Sequence, residues 1–260
     1  METFKLNDLI IEIVYDPSGS LSNHKKERLA REAIQLTRLA FQNPKMNEKM
    51  IIRRSITYVS TGVYLRDVNG NLIAYNTVVT EQVMTKKVMH ILILSVSPEY
   101  QKRGLIEILQ SLCLLKEAEL HDPDSLFFGA RTQSPIVCNL YIKKFGTYPR
   151  PWEQTPDNLK LIAEAYAEVI QKKYTLINSF NYDRDNLILK GAFGKITRDG
   201  KEKKCSLYSG KFPWSRNEEI NDFFKNKLSL DKGDGIICIG PFNRNVCFDN
   251  CAGIANFHIS

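Results

Sequence analysis

Apolar and polar positions alternate in blocks that change period several times along the chain. Residues 9–15, Leu-Ile-Ile-Glu-Ile-Val-Tyr, form a short β-branched run that predicts a strand, and residues 16–22 are rich in turn formers. From His24 to Gln42 the period becomes helical, with Leu29, Ile34, Leu36, Leu39 and Ala40 mostly on one side. Residues 55–67, carrying Ile56, Tyr58, Val63 and Leu65, predict a strand. Asn69-Gly70 then supplies the positive backbone angles of a tight hairpin. Residues 72–83 return, Thr85-Lys86-Lys87 turns the chain again, and residues 88–96 are nearly all apolar. Such a run suits a strand covered on both faces. Three antiparallel strands in succession are expected.

From Gln101 to Leu120 the pattern is helical again. Leu105, Ile108, Leu109, Leu112 and Leu115 make one apolar stripe, with Lys116, Glu117 and Glu119 expected to face water. Residues 126–131 predict another strand. Ser134-Pro135 is a helix opening, since serine caps free N–H groups and proline suits the first turn. That helix should run to about Lys144, with Gly146 as a left-handed stop. Tyr148-Pro149-Arg150-Pro151 interrupts the pattern and divides the chain into a core, 1–150, and a C-terminal α/β extension, 151–260. In the extension, residues 158–171 and 217–227 predict helices and 235–240 a short strand. Residues 187–197 and 203–208 are expected to pair across Asp199-Gly200. There is no internal repeat and no low-complexity linker.

Composition narrows the class without choosing a function. A chain of 260 residues with 43% apolar and 25% charged residues is ordinary for a globular protein able to bury a full core. No run approaches the roughly 18 apolar residues of a membrane span. The N-terminus, Met-Glu-Thr-Phe-Lys-Leu-Asn-Asp, has no apolar signal core, so a cytoplasmic location is expected. The six cysteines lack paired Cys-x-x-Cys spacing. Cys247 and Cys251 could share a helical face, but no nearby histidine completes a metal set; buried thiols in a reducing compartment and no metal are expected. The net charge of +7 is dispersed, with small clusters at Lys143-Lys144 and residues 201–204. Without an aromatic-studded basic stripe, nucleic acid is not an expected partner.

The segment with chemical content is Ile91-Leu-Ile-Leu-Ser-Val-Ser-Pro-Glu-Tyr-Gln-Lys-Arg-Gly-Leu-Ile. A buried strand delivers the chain to Gln101, and a helix begins within a few residues. N–H groups of a first helical turn have no partners inside the helix, and with the helix dipole they make an anion site suited to a pyrophosphate. Gly104 permits close approach, and Lys102 and Arg103 add positive charge.

These residues resemble the GNAT superfamily of acyl-CoA-dependent N-acyltransferases. Its signature is Gln/Arg-x-x-Gly-x-Gly/Ala after a strand ending in apolar-Val-x-Pro. Gln101, Gly104, Val96 and Pro98 match; Ile106 stands where the family has a small residue. Downstream, Tyr141-Ile-Lys-Lys-Phe-Gly is similar to the family's Tyr-x-Lys-x-Gly-Phe with its last two residues reversed, and Ser134 takes the place of a frequent Asn. Order and spacing agree from Leu9 to Gly146. The resemblance implies an α+β fold with a mixed, mainly antiparallel central sheet flanked by helices. It implies an acyl-CoA donor, acetyl or longer, held by Leu94, Ser95, Val96, Gln101, Lys102, Arg103, Gly104, Leu105, Ile106 and Ser134. Tyr141 would be the acid beside the thioester sulfur.

His90, eleven positions before Gln101, stands where some histone-acetylating members carry a catalytic glutamate. An unperturbed pKa of about 6.5 suits it to proton uptake near neutrality. Glu81 on the neighbouring strand is the reserve base. The acceptor would be an amine of a small molecule or peptide, with fatty acylation of a Lys- or ornithine-like side chain as one variant and a carrier-protein donor as another. The extension would complete the sheet, shape the acceptor site or form a homodimer. The alternative is a non-catalytic GNAT-fold module that binds acyl-CoA or a peptide.

Overall fold

The computed structural model describes residues 1–122, 125–174, 180–193 and 214–254. They group into two compact units, one of residues 1–80, 89–122 and 243–254, the other of residues 81–88 and the described part of 125–242.

The first unit opens with a hairpin. Strand β1 (Glu2–Leu6) pairs antiparallel with β2 (Leu9–Tyr15), Leu6 opposite Leu9. Asn7 turns the chain at φ 54°, a left-handed conformation that Asn tolerates. The sequence pattern gave β2 its bounds but did not reveal β1, whose polar, alternating Glu-Thr-Phe-Lys-Leu is an edge-strand composition. A single turn, α1 (Pro17–Ser20), precedes helix α2 (Asn23–Ala40), capped by Ser22 Oγ accepting from Lys25 N at 3.4 Å. Its buried side is Leu29, Ala33, Leu36 and Thr37; Leu39, expected among them, is exposed.

Residues 55–67 do not form one strand. Helix α3 (Glu48–Ile52) runs into a π-helical turn, Arg53–Thr57, and only Thr61–Arg66 is extended as β3. Asn47 starts this helical stretch by accepting from Met50 N, and Tyr64 hydroxyl binds its end by donating to Ser55 O at 2.8 Å. Ile56 and Tyr58 therefore belong to the helical turn and its C-cap rather than to a pleat. Strand β4 (Leu72–Val83) follows the Asp67–Asn71 turn, in which Gly70 has φ 79°. Strand β5 (Lys86–Val96) then returns, and the order β1-β2-β3-β4-β5 places the expected meander behind the N-terminal hairpin.

Helix α4 (Leu105–Ala118) starts four residues later than its apolar period suggests. Gln101 is extended, Lys102 has φ 64° and Gly104 φ 73°, so the helical ladder cannot form before Leu105. Lys116 and Glu117 do not face water. Glu117 is fully buried and accepts from Ser60 Oγ (2.8 Å), Thr61 Oγ1 (2.6 Å) and Thr80 Oγ1 (2.5 Å), while Lys116 pairs with Glu2 and Glu119. A buried carboxylate is tolerated because both of its oxygens are bonded, by the three hydroxyls and by the His121 ring 3.3 Å away.

In the second unit, β6 (Leu126–Thr132) leads to α5 (Pro135–Phe145), which starts at the Ser134 cap and stops at Gly146 with φ 65°. Helix α6 (Asp157–Tyr174) packs Ala163, Tyr166, Ala167 and Ile170 into a core with Val88, Leu187 and Ile237. Short strands β7 (Tyr182–Asp183) and β8 (Ile188–Leu189) pair antiparallel. Helix α7 (Glu218–Lys227) is capped by Asn217, and β9 (Gly235–Pro241) pairs antiparallel with both β6 and β8, giving the order β6-β9-β8-β7. The pairing expected across Asp199-Gly200 lies outside the described residues. Both sides of Tyr148-Pro149-Arg150-Pro151 lie in this unit, where Tyr148 bridges Ile239.

The chain then returns to the first unit as α8 (Arg244–Cys251), where Asn250 Nδ2 donates to Ser111 Oγ of α4 at 3.0 Å. Cys247 and Cys251 share its buried side, as their spacing implies. Among the described residues no helix is long and apolar enough to cross a membrane. The class is α+β with mainly antiparallel pairing.

Candidate active site

In the first unit the strand-to-helix junction expected to bind an anion is built from two left-handed residues. Between them sits Arg103, and after Gly104 the helix opens directly. Alternation of right- and left-handed residues turns successive N–H groups to one side, which makes an anion-binding concavity. No side chain caps this end of α4. An ideal Cβ on Gly104 would meet nothing within 4 Å, so the tip is open to an incoming group. Lys102, Arg103 and Gly104 are exposed. Arg103 is steered by a bond from Nη2 to Glu99 O (3.1 Å) and by stacking of its guanidinium 4.8 Å from the Tyr100 ring centroid. Open space, uncapped amides and two cations fit a pyrophosphate, and Lys102, Arg103 and the amides after Gly104 are the groups that would hold it.

Gln101 has a structural task as well. Its Nε2 donates to Val96 O at 3.1 Å, which ties the turn back to the last residue of β5. Ser97 N donates to Ile73 O at 2.8 Å, extending the β4–β5 ladder one step beyond the strand. Leu94 is half-buried and Val96 buried. Ser95 is buried, and its hydroxyl lies 3.2 Å from Thr37 Oγ1, which is itself 2.5 Å from the Tyr75 hydroxyl. Burial pushes the Tyr75 phenol up to about 12; the Thr37 and Ser95 hydroxyls and the charge of Arg54 hold the rise to that. Leu105 is buried at the start of α4, whereas Ile106, where the family signature has a small residue, is half-buried on its first turn.

His90 is buried within β5. The structure thus brings Leu94, Ser95, Val96 and Gln101 to Ile106 into one hydrogen-bonded junction, with His90 on the same strand.

Glu81, Ser134 and Tyr141 belong to the second unit. Glu81 is buried with both oxygens engaged, by the Lys173 ammonium and the Tyr174 hydroxyl. That makes it an ion-pair partner rather than an open proton acceptor. Ser134 Oγ caps α5 by accepting from Val137 N at 3.3 Å, and its own N–H donates to Thr132 Oγ1 at 2.9 Å. Tyr141 is buried one residue past the middle of α5, edge-on to Phe128 (centroids 5.0 Å apart) and Phe145 (6.2 Å).

Thr37 and Tyr75 were not legible as site residues. A threonine inside an amphipathic helix and a tyrosine in a strand carry no local signal of meeting. Only the polar Ser95 in an otherwise apolar run, Ile91 to Val96, hinted that a partner was needed.

No protein-family model and no curated protein matches the sequence. Solved structures do. One is a GNAT family N-acetyltransferase (YhbS) from Escherichia coli in complex with CoA, 17% identical, TM-score 0.39, over 54% of this chain and 69% of that one. A GNAT family acetyltransferase from Brucella melitensis in complex with acetyl-CoA is 14% identical, TM-score 0.37, over 54% and 83%. The catalytic domain of Tetrahymena GCN5 histone acetyltransferase in complex with coenzyme A is 14% identical, TM-score 0.40, over 66% and 87%. At such scores the likeness carries no weight on function, which rests on the junction itself. The succession of strand, helix, three-stranded meander, helix, strand and helix runs from Leu9 to Gly146, and in structure the chain is similar to GNAT family N-acetyltransferases.

Proposed function

We propose that the protein is an N-acyltransferase that moves an acyl group from acyl-CoA to an amine of a small molecule or peptide. One observation carries this reading: an uncapped helix tip, with left-handed Gly104 and open space above it, directly follows the buried strand β5. A tip of that kind is suited to a phosphorylated carrier. The pantetheine arm would bond the backbone of Leu94, Ser95 and Val96 as an added strand does.

In the reaction a neutral amine nitrogen bonds to the thioester carbonyl carbon and the carbon–sulfur bond breaks. His90 takes the proton the amine must lose, and Tyr141 gives one to the departing thiolate. Nothing in the chain selects acetyl over a longer acyl group, so a fatty acyl donor and a Lys- or ornithine-like acceptor belong to the same proposal. The segment after Pro151 contributes β9 beside β6.

Calorimetric titration with CoA and a thiol-release assay with acetyl-, octanoyl- and palmitoyl-CoA against a panel of amines test this. Saturable CoA binding with amine-dependent thiol release is expected. Binding without thioester loss on any amine would leave a non-catalytic acyl-CoA module, and no binding of CoA or any acyl-CoA would remove the proposal.

A further inference from the structure

The end of β5 is pinned at three successive residues by three different elements. Ser97 N–H is held by Ile73 of β4, Val96 carbonyl by the Gln101 side chain, and Ser95 hydroxyl by Thr37 of α2. Behind Ser95 lies a closed set of hydroxyls. Thr37 Oγ1 is 2.5 Å from the Tyr75 hydroxyl and 3.2 Å from Ser95 Oγ, so Thr37 links the other two. Thr37 and Tyr75 have no exposed surface and Ser95 is 2% exposed. Each hydroxyl donates once and accepts twice, so three of them can satisfy one another in a dry place only if all three are present.

Valine, phenylalanine and alanine would fill the same volume without this requirement, so the hydroxyls are not needed as filler. Three fully buried tyrosines show the difference. Burial drives the phenols of Tyr64 and Tyr166 well above the usual range. At Tyr75 the Thr37 and Ser95 hydroxyls and the Arg54 charge hold the rise to about 12. Thr37 Oγ1 is the node that links the Tyr75 hydroxyl of β4 to the Ser95 hydroxyl of β5.

We infer that Tyr75, with Thr37, is a positioning residue for the donor: it fixes Ser95 and thereby the backbone of residues 94–96 against which the pantetheine amides bond. This rests on the acyltransferase reading given above. A strand end held in place before the donor arrives loses little freedom on binding, whereas a loosened one must be ordered at the expense of affinity. Tyr75 and Thr37 touch no reacting atom in this scheme, so their loss is felt in donor affinity and not in turnover at saturation.

Tyr75→Phe keeps the ring stacked near Tyr64 and removes only its hydroxyl; Ser95→Ala removes the strand's own hydroxyl. Two readouts are needed. Without any ligand, amide hydrogen exchange at residues 94–97 should speed up roughly threefold to tenfold in both variants, the loss of about one hydrogen bond. With CoA, Kd and the donor KM should rise by about the same factor in both variants, while kcat of Tyr75→Phe stays within about twofold. The double variant should lose no more than the worse single one, because both remove the same linkage. Unchanged exchange at residues 94–97 in both variants overturns the inference whether or not CoA binds. Faster exchange with an unchanged donor KM in an active enzyme overturns it too. If the parent protein binds no CoA, the function proposal falls and takes the donor role with it. Should Tyr75→Phe fail to fold, Ser95→Ala alone decides.

Discussion

Gly104 allows the strain of the turn to be separated from its affinity for anions. Its φ of 73° is left-handed, so any side chain costs about 1–2 kcal/mol of backbone strain. No atom lies within 4 Å of an added Cβ, so steric clash contributes nothing further. Gly104→Ala and Gly104→Glu should therefore melt alike, about 2–8 °C below the parent at roughly 2–4 °C per kcal/mol.

With CoA the two variants should part. A carboxylate held about 5 Å from a phosphate charge in water is repelled by roughly 0.8 kcal/mol, so two such charges weaken binding by about 15-fold. Gly104→Ala should bind CoA a few-fold more weakly than the parent, and Gly104→Glu about 15-fold more weakly again. Raising salt to about 1 M, where the screening length falls to roughly 3 Å, should close most of the gap between the variants. Calorimetry at low and high salt and a thermal melt read all of this. Equal CoA affinities for the Ala and Glu variants at low salt would refute the anion site while leaving the strain argument intact.

Three further outcomes follow from buried groups. Glu117→Ala leaves the Thr61 and Thr80 hydroxyls facing a cavity, and a loss of about 3 kcal/mol, or roughly 6–12 °C in melting, is expected; a shift under about 2 °C would show that the hydroxyls find other partners. Tyr141→Phe should lower kcat by at least about tenfold with CoA affinity unchanged, since the ring keeps its packing against Phe128, and an unaltered kcat removes it as the acid. His90→Ala should depress the rate most near neutral pH, where an unprotonated base is useful, and a pH profile of unchanged shape retires it as the base.

Much of the scaffold was readable because it depends on local chemistry. The β-branched run Leu9–Tyr15 and the strand Leu72–Val83 emerged with the bounds their patterns gave. Ser134 and Gly146 marked the two ends of α5, since a hydroxyl cap and a left-handed stop are properties of single residues. The Gln101 to Gly104 turn was also visible, but its conformation was not: nothing local announces that Lys102 adopts φ 64°, and that displaced the start of α4.

What escaped the sequence was decided by partners distant along the chain. Residues 55–58 have strand-like side chains and yet close a π-helical turn, because Tyr64 captures the carbonyl of Ser55. Glu117, spaced to face water, is buried because hydroxyls from residues 60, 61 and 80 converge on it. The same convergence joins Thr37, Tyr75 and Ser95. Periodicity tells which side of a helix or strand is apolar, and caps tell where it stops. The burial of a polar group depends on whether donors arrive from elsewhere, and only the tertiary fold brings them.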